Sequence, residues 1–129
     1  MKALLLFLLL APFSDVFSQE WTYFTSSTDG NKYYYKNHSE DILHKKIWIK
    51  EVGNKLQRTS KNGKKINFSG YSLMLYNVNC REKSSALIKI SYYSSSGTFL
   101  NSADGNEFDF SYPNPGTIGE SIIEAACDQ

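Results

Sequence analysis

Cys80 and Cys127 are the only cysteines in the chain, one closing an apolar run in mid-chain and the other close to the last residue. The chain opens with Lys2 and an apolar core, Ala3 to Ala11, and reaches Val16-Phe17-Ser18, with small residues at the positions a signal peptidase reads. Residues 1–18 therefore read as a secretory signal, too short and wrongly flanked to span a bilayer. An exported chain meets an oxidising compartment, so the two thiols are expected to pair; the alternative is two separately buried cysteines. In the chain-entropy model, closing the loop from residue 80 to 127 is worth about 4 kcal/mol at most, and strain lowers that. A bridge there forces the tail onto the middle of the domain.

Residues 19–129 are the length of one small domain, with no internal repeat. Short aromatic runs alternate with Gly, Asn, Asp and Ser clusters, which predicts a mostly β, antiparallel domain of about six strands. Trp21–Ser26 and Lys32–Lys36 flank Asp29-Gly30-Asn31 and read as a hairpin. In Lys45–Val52, Ile47 and Ile49 alternate with Lys46, Trp48 and Lys50, a half-buried period of two. Gly53 to Gly70, rich in Lys and Asn, reads as a long mobile connection. Met74, Tyr76, Val78 and Cys80 share one face of Tyr71–Cys80; Ile88, Ile90 and Tyr92 share one face of Ala86–Tyr93. Thr98–Asn101 follows Gly97, and Phe108, Phe110 and Tyr112 alternate in a last short strand before Pro113 and Pro115. Of Tyr33, Tyr34 and Tyr35, at least one is expected in the core.

The tail changes period. Thr117 and Glu120 stand at capping-box spacing, predicting that each satisfies an orphan amide. Ile118, Ile122, Ile123, Ala125 and Ala126 cluster on a helical wheel opposite Glu120, Glu124 and Asp128. The predicted fold is α+β: the sheet with one C-terminal helix laid on it and tethered by Cys80–Cys127.

Net charge is only +1, yet the charges are segregated. Lys45 to Lys65 holds eight basic residues against one acid, Glu51, whereas six acids and no base follow from Asp104. Such asymmetry marks a binding face or merely solvates loops. Catalytic signatures are absent: His38 and His44 fit no metal spacing, nothing places a nucleophile near Glu40 and Asp41, and no glycine-rich phosphate loop occurs. No enzyme activity, cofactor or metal is expected. Export and a total charge near zero argue against nucleic acid, despite Trp48 within the basic stretch. No second apolar run is long enough for a membrane span, and no cysteine follows the cleavage site to carry a lipid, so a soluble product is expected.

In order along the chain stand Trp21, the Tyr34-Tyr35 pair after a turn, Ile47-Trp48-Ile49-Lys50, Asn79-Cys80, Tyr92-Tyr93 before Gly97, and Pro115-Gly116-Thr117 leading to Cys127. In that order and spacing the chain resembles the surface-adhesin protein E family of bacteria, from about Trp21 to Cys127. The resemblance implies an antiparallel sheet with a disulfide-tethered C-terminal helix. It also implies an adhesin role like that of the family's best-known member, a lipid-anchored surface protein that binds host vitronectin, laminin and plasminogen partly through a lysine-bearing region. This chain departs from that member in having no lipobox cysteine.

The expected function is an exported, non-enzymatic binding module for host matrix or plasma proteins or polyanions, located in the periplasm, on the outer surface or in the medium. Its expected binding residues are Lys46, Trp48, Lys50, Lys61, Lys64 and Lys65, forming one patch if the segment from Asn54 to Lys65 extends the strand face. The alternative is a periplasmic structural or accessory domain with no host ligand.

Overall fold

Thr28-Asp29-Gly30, Lys61-Asn62-Gly63 and Ser95-Ser96-Gly97 punctuate the chain at three points, and each reverses it in the same way. In a computed structural model, which describes residues 21–40 and 44–128, the residues flanking each triplet close a hairpin. Ser27, Ser60 and Ser94 donate their amides to the carbonyls of Asn31, Lys64 and Thr98, at 2.9, 2.8 and 2.9 Å. The glycines occupy left-handed backbone, with φ of 88°, 79° and 89°, and donate back to the same serines. This is the three-residue hairpin loop, which needs a residue without Cβ strain in its last position.

The strands are β1 (Thr22–Ser26), β2 (Lys32–Glu40), β3 (His44–Thr59), β4 (Lys65–Asn79), β5 (Ser84–Ser94) and β6 (Phe99–Asp104), followed by α1 (Ile118–Cys127). They pair antiparallel in chain order, β1 to β6, as one six-stranded meander. The fold is the expected α+β arrangement.

Register decides which side chains share a face. Tyr35, Ile49, Met74 and Ile90 form one cross-strand row, and Ile47 with Tyr76 and Leu87 forms part of the next. The helix covers these rows: Ile122, Ile123 and Ala126 join Ile47, Ile49, Met74 and Val78 in one buried cluster. Each such aliphatic side chain removed from water contributes about 1.5–3 kcal/mol. Cys80 and Cys127 are bonded, with Cα atoms 5.6 Å apart, fixing the helix's last turn to the end of β4. Phe24 sits at the bulge in the β1–β2 pairing and packs edge-on against Tyr33 and Tyr35, so Tyr33 is the core member of the tyrosine triplet.

Four expectations need correction. The segment from Gly53 to Gly70 is not a loop. β3 continues to Thr59 and β4 begins at Lys65, making a hairpin arm paired from Leu56↔Phe68 to Thr59↔Lys65. Its lysines lie exposed on a ladder, which composition alone reads as loop, while Leu56 is buried and Phe68 packs edge-on against Tyr92 at 5.8 Å. At its root the pairing slips between Gly53 and Leu56, and neither Gly53 nor Gly70 has room for a Cβ, against Asn31 and the Tyr93 carbonyl respectively. A bulge beside a glycine pair bends a ladder sharply.

The last short strand does not form either. Ser111 makes a single bridge to Ser85, on the stretch of β5 that β6 leaves uncovered, and Phe108 and Tyr112 are exposed; a turn from Asn106 to Asp109 precedes the bridge and Pro113 follows it. The capping box is altered. The Thr117 hydroxyl donates to the Asn114 carbonyl, and the Glu120 carboxylate accepts from the amide of Gly116, one residue before the N-cap. Finally, β2 and β3 run beyond their expected bounds, Lys32–Lys36 and Lys45–Val52, and take in His38 and His44. The signal segment, residues 1–18, the start at Gln19 and Asp41 lie outside the described residues.

Candidate functional site

Period two puts Lys46, Trp48 and Lys50 on the face of β3 opposite Ile47 and Ile49, and the helix leaves that face uncovered. Their cross-strand neighbours extend it. The Lys36 and Lys50 ammonium groups lie 5.1 and 5.6 Å from the Trp21 ring, and Lys50 lies 4.7 Å from the Tyr71 ring. Tyr71 stacks on Tyr93 at 4.9 Å and 10°, and Tyr93 meets Phe99 edge-on at 5.7 Å. A continuous aromatic–lysine stripe thus crosses the sheet from β2 to β6. Each cation over a ring is worth about 0.5–1 kcal/mol at an exposed site. To one side His38 meets Trp48 at 6.0 Å, and Tyr23, exposed, meets Tyr34 at 5.8 Å.

The segment after β6 returns across one end of this face. Asn77 donates to the Glu107 carbonyl at 2.9 Å, His44 lies 5.5 Å from Phe110, and Lys46 forms a 3.9 Å ion pair with Glu107. Both partners of that pair are substantially exposed, so it adds little to stability.

Lys61, Lys64 and Lys65 are exposed at the tip of the arm. Lys50 stands nine residues before Thr59, the partner of Lys65, which is about 30 Å along an extended strand. The arm is held toward the helix side: Arg58 donates to the Asn101 side-chain oxygen at 2.9 Å, and Asn101 donates to the Thr59 carbonyl at 2.8 Å. Asn101 pairs with Tyr92 on the face that α1 covers. The six expected binding residues therefore fall into two groups, a stripe on the open face and a basic hairpin tip, and do not form one patch.

Beneath the arm runs a polar row that the sequence reading did not single out: Tyr33, Glu51, Ser72, Tyr92 and Asn101, each register-paired with the next. Tyr33, Ser72, Tyr92 and Asn101 are buried, and Glu51 is half-buried among them. The Tyr33 hydroxyl donates to Glu51 Oε2 at 2.7 Å and the Asn31 amide donates to the same oxygen at 3.0 Å. Burial, then the Glu51 hydrogen bond and charge, push the Tyr33 hydroxyl well above its ordinary pKa. Burial followed by the Glu51 charge also raises Tyr76 and Tyr92, with Arg58 lowering Tyr92. The signal for this row was in the sequence: Glu51 is the lone acid of the basic stretch and shares its parity with Ile47 and Ile49.

Among the described residues, no group of three or more His, Cys, Asp and Glu side chains is placed to hold a metal ion. Nor is any helix among them long and apolar enough to cross a membrane. The family model described as surface-adhesin protein E matches residues 21–128. Neither the curated proteins nor the solved structures contain a significant match to the chain.

Proposed function

Because the chain belongs to the surface-adhesin protein E family, we propose that it is an exported, non-enzymatic binding module that attaches to host matrix or plasma proteins, or to polyanions. Export rests on the leader, with cleavage placing Gln19 at the mature N-terminus. N-terminal sequencing of the exported protein checks this; a form still carrying Leu4 to Leu10 would make the leader an anchor instead.

The observation that carries the reading is the uncovered aromatic–lysine stripe, together with the lysine-bearing hairpin tip. Rings give contact area at little entropic cost, and lysines give attraction to anionic partners. Lys61, Lys64 and Lys65 supply the steering charge, and Lys46, Trp48 and Lys50 supply a contact face. The partners it fits are sulfated, heparin-like chains and proteins such as vitronectin, laminin or plasminogen.

The experiment is binding to immobilised heparin and vitronectin across a salt series, which screens exposed charge. Replacing Lys61, Lys64 and Lys65 together with Glu is expected to abolish binding with the melting temperature nearly unchanged, because exposed charges contribute little to folding. Loss instead in a Lys46→Glu/Lys50→Glu variant moves the site to the open face. A parent protein that binds neither surface supports the accessory-domain alternative.

A further inference from the structure

Between the β1–β2 turn and the root of the arm lies a cleft of about 740 Å³, lined by Asp29, Asn31, Tyr33, Glu51, Asn54 and Gln57 among others. Its size falls within the range of small-ligand sites, about 300–1,000 Å³. We propose that this cleft binds an alkyl-ammonium or alkyl-guanidinium group, seated on the carboxylate of Glu51.

Glu51 is held rather than free. Asn31 and Tyr33, only 5% and 8% exposed, both donate to its Oε2. Asn31 is fixed in turn by its backbone N–H, which donates to Ser27 Oγ at 3.2 Å, by its side-chain amide, which donates to the Lys55 carbonyl at 3.4 Å, and by close packing on Gly53, where a Cβ has no room. Two buried neutral donors thus aim one carboxylate oxygen and leave the other without a hydrogen-bond partner among the described residues. Nor does Glu51 form an ion pair among them. A half-buried carboxylate satisfied on one side by neutral donors has its strongest remaining interaction with a cationic donor.

The rest of the cleft suits the same group. Asp29 adds a second carboxylate, the side-chain carbonyls of Asn54 and Gln57 are further acceptors, and buried Leu56 offers an apolar wall for an alkyl stem. The one cation lining it, Lys55, is exposed on the arm. This chemistry is opposite in sign to that of the lysine surfaces, so the inference stands whether or not those surfaces bind polyanions. The group can come from a Lys or Arg side chain of a partner polypeptide or from a free amine, and the two sources share this one contact.

The test is an isotope-labelled NMR titration of the full mature chain with acetyl-arginine amide, acetyl-lysine amide and putrescine. Saturable shifts are expected in the side-chain amides of Asn31 and Gln57. The tightest of the three probes identifies the source of the group. Glu51→Gln keeps a carbonyl oxygen for Tyr33 and Asn31, so the fold is expected to survive while affinity falls about tenfold, the weight of a charged partner lost. Equal affinity in Glu51→Gln overturns the inference. So does a parent chain whose shifts never saturate, or fall instead on Glu120, Glu124 and Asp128. The parent titration decides the matter even if the variant fails to fold.

Discussion

Under α1, Ile47, Ile49 and Val78 are fully buried against Ile122, Ile123 and Ala126, and a disulfide holds the lid in place. One row further along the same strands, Tyr33, Glu51, Ser72, Tyr92 and Asn101 take the corresponding positions, and the lid is a hairpin arm held by Asn101. The first half is closed by hydrocarbon, the second by hydrogen bonds together with the packing of Leu56 and Phe68. Apolar packing is non-directional and tolerates no water, so it makes a dry core. A polar row needs a specific partner for each donor, and this one falls short, with Ser72 Oγ and Arg58 Nε buried and without a hydrogen-bond partner among the described residues. The difference separates two tasks: the helix half holds the dry apolar core, and the arm half holds Glu51, a carboxylate aimed by two buried donors.

Breaking the helix half should give the largest effect. Cys127→Ser is expected to lower stability by about 4 kcal/mol at most, measured by denaturant unfolding. The intact parent should weigh two hydrogens less than its all-thiol form. Thiols that alkylate without denaturant would remove the tether from the comparison altogether.

Asn101→Ala attacks the other lid. It leaves Arg58 and the Thr59 carbonyl without their partner, at a cost of about 1–3 kcal/mol. Hydrogen exchange should accelerate in the arm, between Leu56 and Phe68, and remain slow under α1. Uniform acceleration would mean that the two halves open as one unit.

The smallest effect is nil at neutral pH and appears only in alkali. The Tyr33, Tyr76 and Tyr92 hydroxyls have folded pKa values raised above the ordinary 10.0. The folded state therefore holds protons that the unfolded chain releases, so stability is intact below pH 10 and falls as pH climbs above it. A melting temperature that declines above pH 10, with the decline reduced in Tyr33→Phe, checks this. A curve unchanged by Tyr33→Phe would assign the loss to Tyr76 or Tyr92.

What the sequence determined by itself was local. Period two in Lys45–Val52 and Tyr71–Cys80 named the buried faces, Asp29-Gly30-Asn31 and Gly97 located two of the reversals, and the tail's changed period announced a helix. The expectation of export led to the pairing of Cys80 with Cys127, which the fold contains. Each depends on neighbours a few residues apart or on there being only two thiols to pair.

Only the tertiary structure decided the rest. The arm was hidden because its lysines and asparagines resemble a loop until Leu56 and Phe68 find their register. Phe108 to Tyr112 alternates like a strand, yet makes only the one bridge from Ser111 to Ser85, between the Asn106–Asp109 turn and Pro113. Lys50 and Lys65 lie within one basic stretch of sequence, but the bent arm carries Lys65 away from the open face. The aromatic stripe and the polar row each draw residues from several strands, a relation that exists only once register is set. Turn geometry sets the register at the head of a hairpin, but every strand pair here shifts register at a bulge, and no local pattern of residues announces those shifts.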